Sequence, residues 1–306
     1  MTIAIVGAGA MGGIYGARLA ESGADVVLLD VSRAVIDNVE ADGVVLRDAT
    51  GERSVRVRAT DDASGIGPVD AAIVFTKGYH TESALALAAP LIGPDTVVAS
   101  LQNGWGNGDV IARTVSAERI VVGVSYNSGL LVGPGRVAHT NVGPTVIGPF
   151  EGSEMAGASL NHGLLVAAGF EVEATPEIRF RTWRKLILNT ATLPTAALTR
   201  LKVGPMRDEP AFSLVSAIAR ETMEIGAALG FSFDEAAEIA TIRHVLDGNA
   251  EGKASMLQDF EAGRRSEIDT VNGAVVRIAD EHGVPAPLNR AMATLVREYE
   301  RANGIK

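Results

Sequence analysis

A β-branched apolar run, Thr2–Val6, passes without a break into Gly7-Ala8-Gly9-Ala10-Met11-Gly12. From Met11 to Ser22 the apolar residues Ile14, Leu19 and Ala20 fall on one helical face, and Gly23 closes the run as a glycine cap does. A strand, a glycine turn and a helix in that order leave few folds open. Gly7 permits the tight turn, Gly9 lets the backbone approach a pyrophosphate, and Gly12 lets helix and strand pack closely. The helix N-terminus then offers unpaired N–H groups and partial positive charge to phosphates. Residues 7–12 are therefore candidate dinucleotide-binding residues. The next strand, Asp25–Asp30, is apolar throughout its middle, as strands buried on both faces are. Asp30 ends it, 18 residues after Gly12. A carboxylate there accepts from the ribose 2′-hydroxyl of NAD and repels the extra phosphate of NADP, so NAD is the expected cofactor, with NADP second. Arg33, three residues on, would soften that preference. As plain structure, Asp30 would only cap a turn through Ser32.

Further strand-like runs follow at Ala71–Phe75, Thr96–Leu101, Ile120–Val124 and Val146–Gly148, with helical stretches at Thr81–Leu91 and Gly108–Ser116. This alternation predicts a mostly parallel sheet covered by helices on both faces. The segment Gly129–Pro144 reads as hairpin and loop. After about Ile178 the texture changes: Phe180–Leu193, Ala211–Leu229, Asp234–Leu246, Ser266–His282 and Leu288–Ala302 all carry helical periodicity. The expected fold is α/β, a Rossmann-type domain over residues 1–176 followed by an all-helical domain over 177–306. Its substrate cleft is expected between the two. At 306 residues, two domains are also what length predicts.

Composition narrows the function. With 27 basic and 37 acidic side chains the net charge is −10, which argues against a nucleic-acid partner. No cysteine is present, which removes thiolate metal sites and cysteine nucleophiles, and the five histidines show no metal spacing. No apolar run reaches the roughly 18 residues a membrane span needs, and Met1–Gly7 lacks a basic leader. The expectation is a soluble, cytoplasmic protein with no metal.

Three segments carry more specific information: Leu101-Gln102-Asn103-Gly104; Trp183-Arg184-Lys185-Leu186-Ile187-Leu188-Asn189; and Ser255-Met256-Leu257-Gln258-Asp259 followed by Glu267-Ile268-Asp269 and Asn272-Gly273. With the N-terminal glycines, and in the same order along essentially the whole chain, they resemble the ketopantoate reductase (2-dehydropantoate 2-reductase) family. The resemblance implies hydride transfer from a nicotinamide to the ketone of a 2-oxo acid. It implies Lys185 as the general acid, Asn189 as a substrate-binding residue, Glu267 as the group that binds the substrate hydroxyl, and Ser255 as a contact to the substrate carboxylate. Lys77 corresponds to a family lysine near cofactor and active site. Asn103, just after a strand of the nucleotide domain, is placed to reach the nicotinamide and the substrate. The chemistry suits an ammonium at Lys185, because negative charge grows on the carbonyl oxygen as hydride arrives. Asn189, four residues on, shares its helix face. As plain structure, Lys185 would be a solvated helix lysine, Glu267 a first-turn carboxylate and Lys77 a strand-end charge.

The chain also departs from the family. A second asparagine, eight residues after the lysine and before a proline, is here Leu193; another, three residues before the serine, is Gly252. The arginine that reads NADP after the second strand gives way to Asp30-Val31. A leucine in place of a polar substrate contact favours a more apolar side chain. The alternative is thus an NAD-dependent dehydrogenase of a more apolar 2-hydroxy acid, resembling D-mandelate dehydrogenases. A catalytically silent dinucleotide-binding paralogue is the reading of another class, and intact Lys185 and Glu267 argue against it. The helical C-terminal domain offers surfaces for a homodimer.

Overall fold

The structure is a computed structural model that describes residues 1–305. It divides into two compact units, residues 1–102 with 107–181, and residues 103–106 with 182 onward. The first unit carries twelve strands: β1 (Thr2–Val6), β2 (Asp25–Leu29), β3 (Val44–Asp48), β4 (Gly51–Val55), β5 (Arg58–Thr60), β6 (Ala71–Val74), β7 (Val97–Ser100), β8 (Ile120–Ser125), β9 (Ser128–Gly133), β10 (Arg136–Asn141), β11 (Thr145–Pro149) and β12 (Val172–Ala174). Eight of them form one sheet in the order β12-β11-β8-β7-β6-β1-β2-β5. Within it β8 and β11 are antiparallel and the other pairs run parallel. The chain runs outward from β1 through β2 to β5, then returns to β6 on the other side of β1. That reversal is a topological switch point, where open α/β sheets place their ligands.

The core explains why the strands are continuously apolar. Alternate side chains of β1 enter different clusters: Ile3 and Ile5 pack with Ile14 and Leu19 of α1 (Ala10–Glu21), and Ala4 and Val6 pack with Leu85, Leu91 and Ile111. Both faces are dry, so both residue sets must be apolar. Besides α1, the helices of this unit are α2 (Arg33–Asp42), α3 (Thr81–Ala88), α4 (Asn107–Ile111) and α5 (Ala156–Ala167).

Several expected boundaries shift. The helix over Thr81–Leu91 ends at Ala88 and continues as a 3-10 turn, where Pro90 cannot donate its backbone hydrogen bond. The helix over Gly108–Ser116 is the short α4 alone. The β9–β10 hairpin lies where hairpin and loop were expected, but it joins β3 and β4 in a second sheet, β4-β3-β10-β9.

The second unit is helical: α6 (Ile178–Thr199, which starts within the first unit), α7 (Ala211–Ala228), α8 (Glu235–Gly248), α9 (Ser255–Glu261), α10 (Asn272–His282) and α11 (Pro287–Ala302). Trp183 is fully buried at its centre. Its ring meets Trp105 edge-on at 5.1 Å, and its Nε1 donates to the carbonyl of Thr222 at 3.1 Å. Pro194 stands inside α6 and has no N–H to give the Thr190 carbonyl one turn back. Asn272 Nδ2 supplies that donor at 3.0 Å, and also donates to Asn289 Oδ1 at 3.0 Å. The proline is thus accommodated by a buried side chain from α10. Among the described residues no helix is long and apolar enough to cross a membrane.

Candidate active site

Two groups of candidate residues emerge, one in each unit. The first lies at the carboxyl ends of β1 and β6. Gly7 has φ +98, and a Cβ there would lie 2.8 Å from Thr76 Cγ2, so only glycine fits. A Cβ on Gly12 would lie 1.9 Å from the Gly7 carbonyl oxygen. Gly9 differs, since a Cβ there would meet nothing within 4 Å. Its glycine is not demanded by the protein's own packing, which is what a surface kept clear for a ligand backbone would show. Helix α1 starts with Ala10, has no acidic residue in its first turn and no side-chain cap. Its opening N–H groups, with those of Met11 and Gly12, have no partner inside the helix and suit a pyrophosphate. Lys77 directly follows the Thr76 that packs on Gly7 and precedes a 3-10 turn, Gly78–His80.

Asp30 is held on both oxygens. The N–H of Ala8 donates to Oδ2 at 2.7 Å and that of Ser32 to Oδ1 at 2.9 Å. The second contact is the expected turn cap, and the first ties the carboxylate to the glycine turn. Each oxygen keeps lone-pair capacity for a further donor such as a ribose hydroxyl. These residues fit a dinucleotide.

The second group lies in the helical unit. Lys185, on α6, donates from Nζ to Asn103 Oδ1 at 3.2 Å. Burial pushes the Lys185 ammonium down to about 8, opposed by the nearby Glu267 carboxylate, which favours the charged form. Glu267 is buried, with 8% of its surface exposed. It sits in a turn ahead of α10, not in the first turn of a helix over Ser266–His282 as the periodicity suggests. The cause is tertiary. The Thr270 carbonyl accepts the Trp105 N–H at 2.8 Å, and Gly104, at φ +92, presses so close that a Cβ would lie 2.3 Å from that carbonyl oxygen. The Asn103-Gly104-Trp105 loop is thereby docked on the turn that carries Glu267. Asn103, on this loop, accepts from Lys185, and Glu267, on the turn, lies near enough to act on the Lys185 charge. Asn189 follows Lys185 by one helical turn and is buried. Ser255 opens α9, after Ala254. Leu193 packs against two apolar clusters, and the space a Cβ would take on Gly252 is filled by the Asn249 side chain at 2.2 Å. Gly104 stands in one of the three informative segments of the sequence, but its contact with Thr270 carries no sequence signal beyond the Asn-Gly pair.

Two family models and several relatives match this chain. Residues 3–152 match the family described as Ketopantoate reductase PanE/ApbA, and residues 177–300 match its C-terminal counterpart. The chain is 33% identical to a 2-dehydropantoate 2-reductase of Archaeoglobus fulgidus over 97% of both chains. It is 32% identical to the 2-dehydropantoate 2-reductase of Pyrococcus horikoshii over 99% of both. Among solved structures, a ternary structure of D-mandelate dehydrogenase with NADH and anilino(oxo)acetate superposes with a TM-score of 0.96 at 27% identity, covering 100% of each chain. A ketopantoate reductase from Ralstonia eutropha superposes at 0.90 with 33% identity, over 99% of this chain and 100% of that one.

Proposed function

The chain belongs to the ketopantoate reductase family of oxidoreductases, and from that premise we propose that it reduces a 2-oxo acid to a 2-hydroxy acid with Lys185 as general acid. 2-Dehydropantoate is the first substrate to expect, given the relatives' names. A bound nicotinamide, carried by residues 7–12, Asp30 and Lys77, supplies the hydride. The chain's own residues do the rest. Lys185 holds the proton destined for the carbonyl oxygen and stabilises the charge that develops there. Asn103 orients the ammonium through its 3.2 Å hydrogen bond, and Glu267 keeps it charged against the cost of burial. In this reading Glu267 also receives the substrate hydroxyl, Ser255 the substrate carboxylate, and Asn189 a further polar group of the substrate. The observation that carries the proposal is the Lys185 ammonium, half-buried and hydrogen-bonded to the Asn103 amide, with the buried Glu267 carboxylate near enough to favour its charge.

The pH dependence tests it. Lys185 is protonated below about pH 8 and loses its proton as pH rises through that value. Reduction, measured as kcat/KM, is expected to fall above about pH 8 with a slope of one proton. Glu267 raises this pKa, so Glu267→Gln is expected to move the falling limb to lower pH. A limb that stays in place would separate Glu267 from Lys185.

Asp30 is proposed to select NAD. Asp30→Ala is expected to reduce the ratio of NADH to NADPH affinity by about tenfold, since it removes both a 2′-hydroxyl acceptor and a repelling charge. A ratio unchanged in fluorescence titration would assign the ribose to another group. A second substrate reading rests on Leu193 and Gly252, which put apolar surface and a closed-off backbone where the family pattern has asparagines. It favours a 2-oxo acid with an apolar side chain.

A further inference from the structure

The sheet brings Asp61, distant from Asp30 in sequence, to the carboxyl end of β2. Strand β5 pairs in parallel with β2, with Thr60 opposite Leu29, and the Asp30 N–H donates to the Thr60 carbonyl at 3.1 Å. Asp61 therefore follows β5 as Asp30 follows β2, on adjacent strands. Arg33 lies at the start of α2, one residue beyond the Ser32 that caps it. Its guanidinium is engaged on two sides. Nη1 lies 3.4 Å from both Asp61 oxygens, and Nη2 lies 3.1 Å from Asp37 Oδ1. One guanidinium, three residues beyond Asp30, is thus shared between two carboxylates. Asp62 takes no part, because its carboxylate accepts the Ser64 N–H at 2.9 Å.

The geometry points to Asp61 and Asp37 as cofactor-specificity residues that act through Arg33. Asp30 discriminates by its own charge. Asp61 and Asp37 discriminate by neutralising and orienting a cation that would reward a 2′-phosphate. Removing Asp30 alone then leaves the acceptance of NADPH incomplete, since Arg33 stays tied to its two partners. This assignment rests on the reading that Asp30 faces the ribose, and it explains why an arginine so placed does not make the site an NADP site.

Dissociation constants for NADH and NADPH, from fluorescence titration at fixed low ionic strength, test this without reference to the 2-oxo acid. The proteins compared are the wild type, Asp30→Ala, the triple variant Asp30→Ala/Asp37→Asn/Asp61→Asn, and the triple variant with Arg33→Ala added. The triple variant is expected to bind NADPH about tenfold more tightly than Asp30→Ala, with NADH changed less than about twofold. Adding Arg33→Ala is expected to cancel that gain. A triple variant no better than Asp30→Ala for NADPH would overturn the proposal, and so would a gain that survives Arg33→Ala, which would reflect bulk charge only. If Asp30→Ala itself leaves the NADH-to-NADPH ratio unchanged, the reading of Asp30 fails, while the comparison of the triple variant with and without Arg33 still decides the role of Asp61 and Asp37. Thermal melting of each variant shows that the comparison is between folded proteins. Both ion pairs of Arg33 are exposed, so little loss of stability is expected.

Discussion

Replacing Lys185 with alanine is expected to lower the turnover of 2-oxo acid reduction by about 10²- to 10⁴-fold, the usual contribution of a positioned general acid. NADH affinity should stay close to that of the wild type, because the glycine turn and Asp30 belong to the other unit. The substitution also leaves Glu267 buried without its cation. Removing a cation from beside a buried carboxylate costs the folded state some stability. A modest loss of thermal stability with intact NADH binding is therefore part of the expected result. Unchanged turnover would remove Lys185 from the chemistry. Loss of NADH binding together with turnover would mean that the variant had lost its fold rather than its acid.

The second large effect belongs to the glycine turn, and two substitutions in it are expected to fail for different reasons. A methyl group on Gly12 would sit 1.9 Å from the Gly7 carbonyl oxygen and 3.1 Å from Ile5 Cγ2. Neither the backbone nor the buried β1 side chain can yield without opening the packing of α1 on β1. Gly12→Ala is expected to destabilise the protein by several kcal/mol, as overpacking against backbone does, and to abolish dinucleotide binding. A methyl group on Gly9 meets no protein atom within 4 Å. Gly9→Ala is expected to melt within a few degrees of the wild type and to lose NADH affinity by at least about tenfold, because the methyl occupies the approach of the pyrophosphate. Full NADH affinity in Gly9→Ala would show that the open space over this residue is not where the phosphates lie.

The strand–glycine–helix unit was legible because its rules are local. A short apolar run, glycines at fixed spacing and a period-3.6 face all act within one segment, and β1, α1 and β2 follow them. The segment from Val44 to Thr60 was not read as strands. It is short, polar and broken at Thr50-Gly51, and its strands depend on pairing with β10 and β2, which lie far away in sequence. Asp61 follows Thr60, and its place at the end of the strand adjacent to β2 exists only through the β2–β5 register. In the helical unit, periodicity carried the helix over Ser266–His282 through Glu267, whereas α10 starts at Asn272. The intervening turn serves tertiary ends: its Thr270 carbonyl anchors the loop that carries Asn103, and no pattern within residues 266–271 announces such a partner. Pro194 was visible, but the Asn272 side chain that answers its missing N–H was not. Lys185, Asn103 and Glu267 were nominated from three separate segments, and the docked loop supplies the physical reason they share one place.

The most direct measurement is steady-state oxidation of NADH and NADPH by the purified protein with 2-dehydropantoate, beside 2-oxoisovalerate and phenylglyoxylate. The account predicts nicotinamide oxidation dependent on a 2-oxo acid, faster with NADH, and lost in Lys185→Ala. High turnover on 2-dehydropantoate would show that Leu193 and Gly252 leave the family substrate acceptable, and preference for phenylglyoxylate would show that they have shifted it toward apolar side chains. A folded protein that binds NADH yet oxidises neither cofactor with any of the three acids would contradict the account.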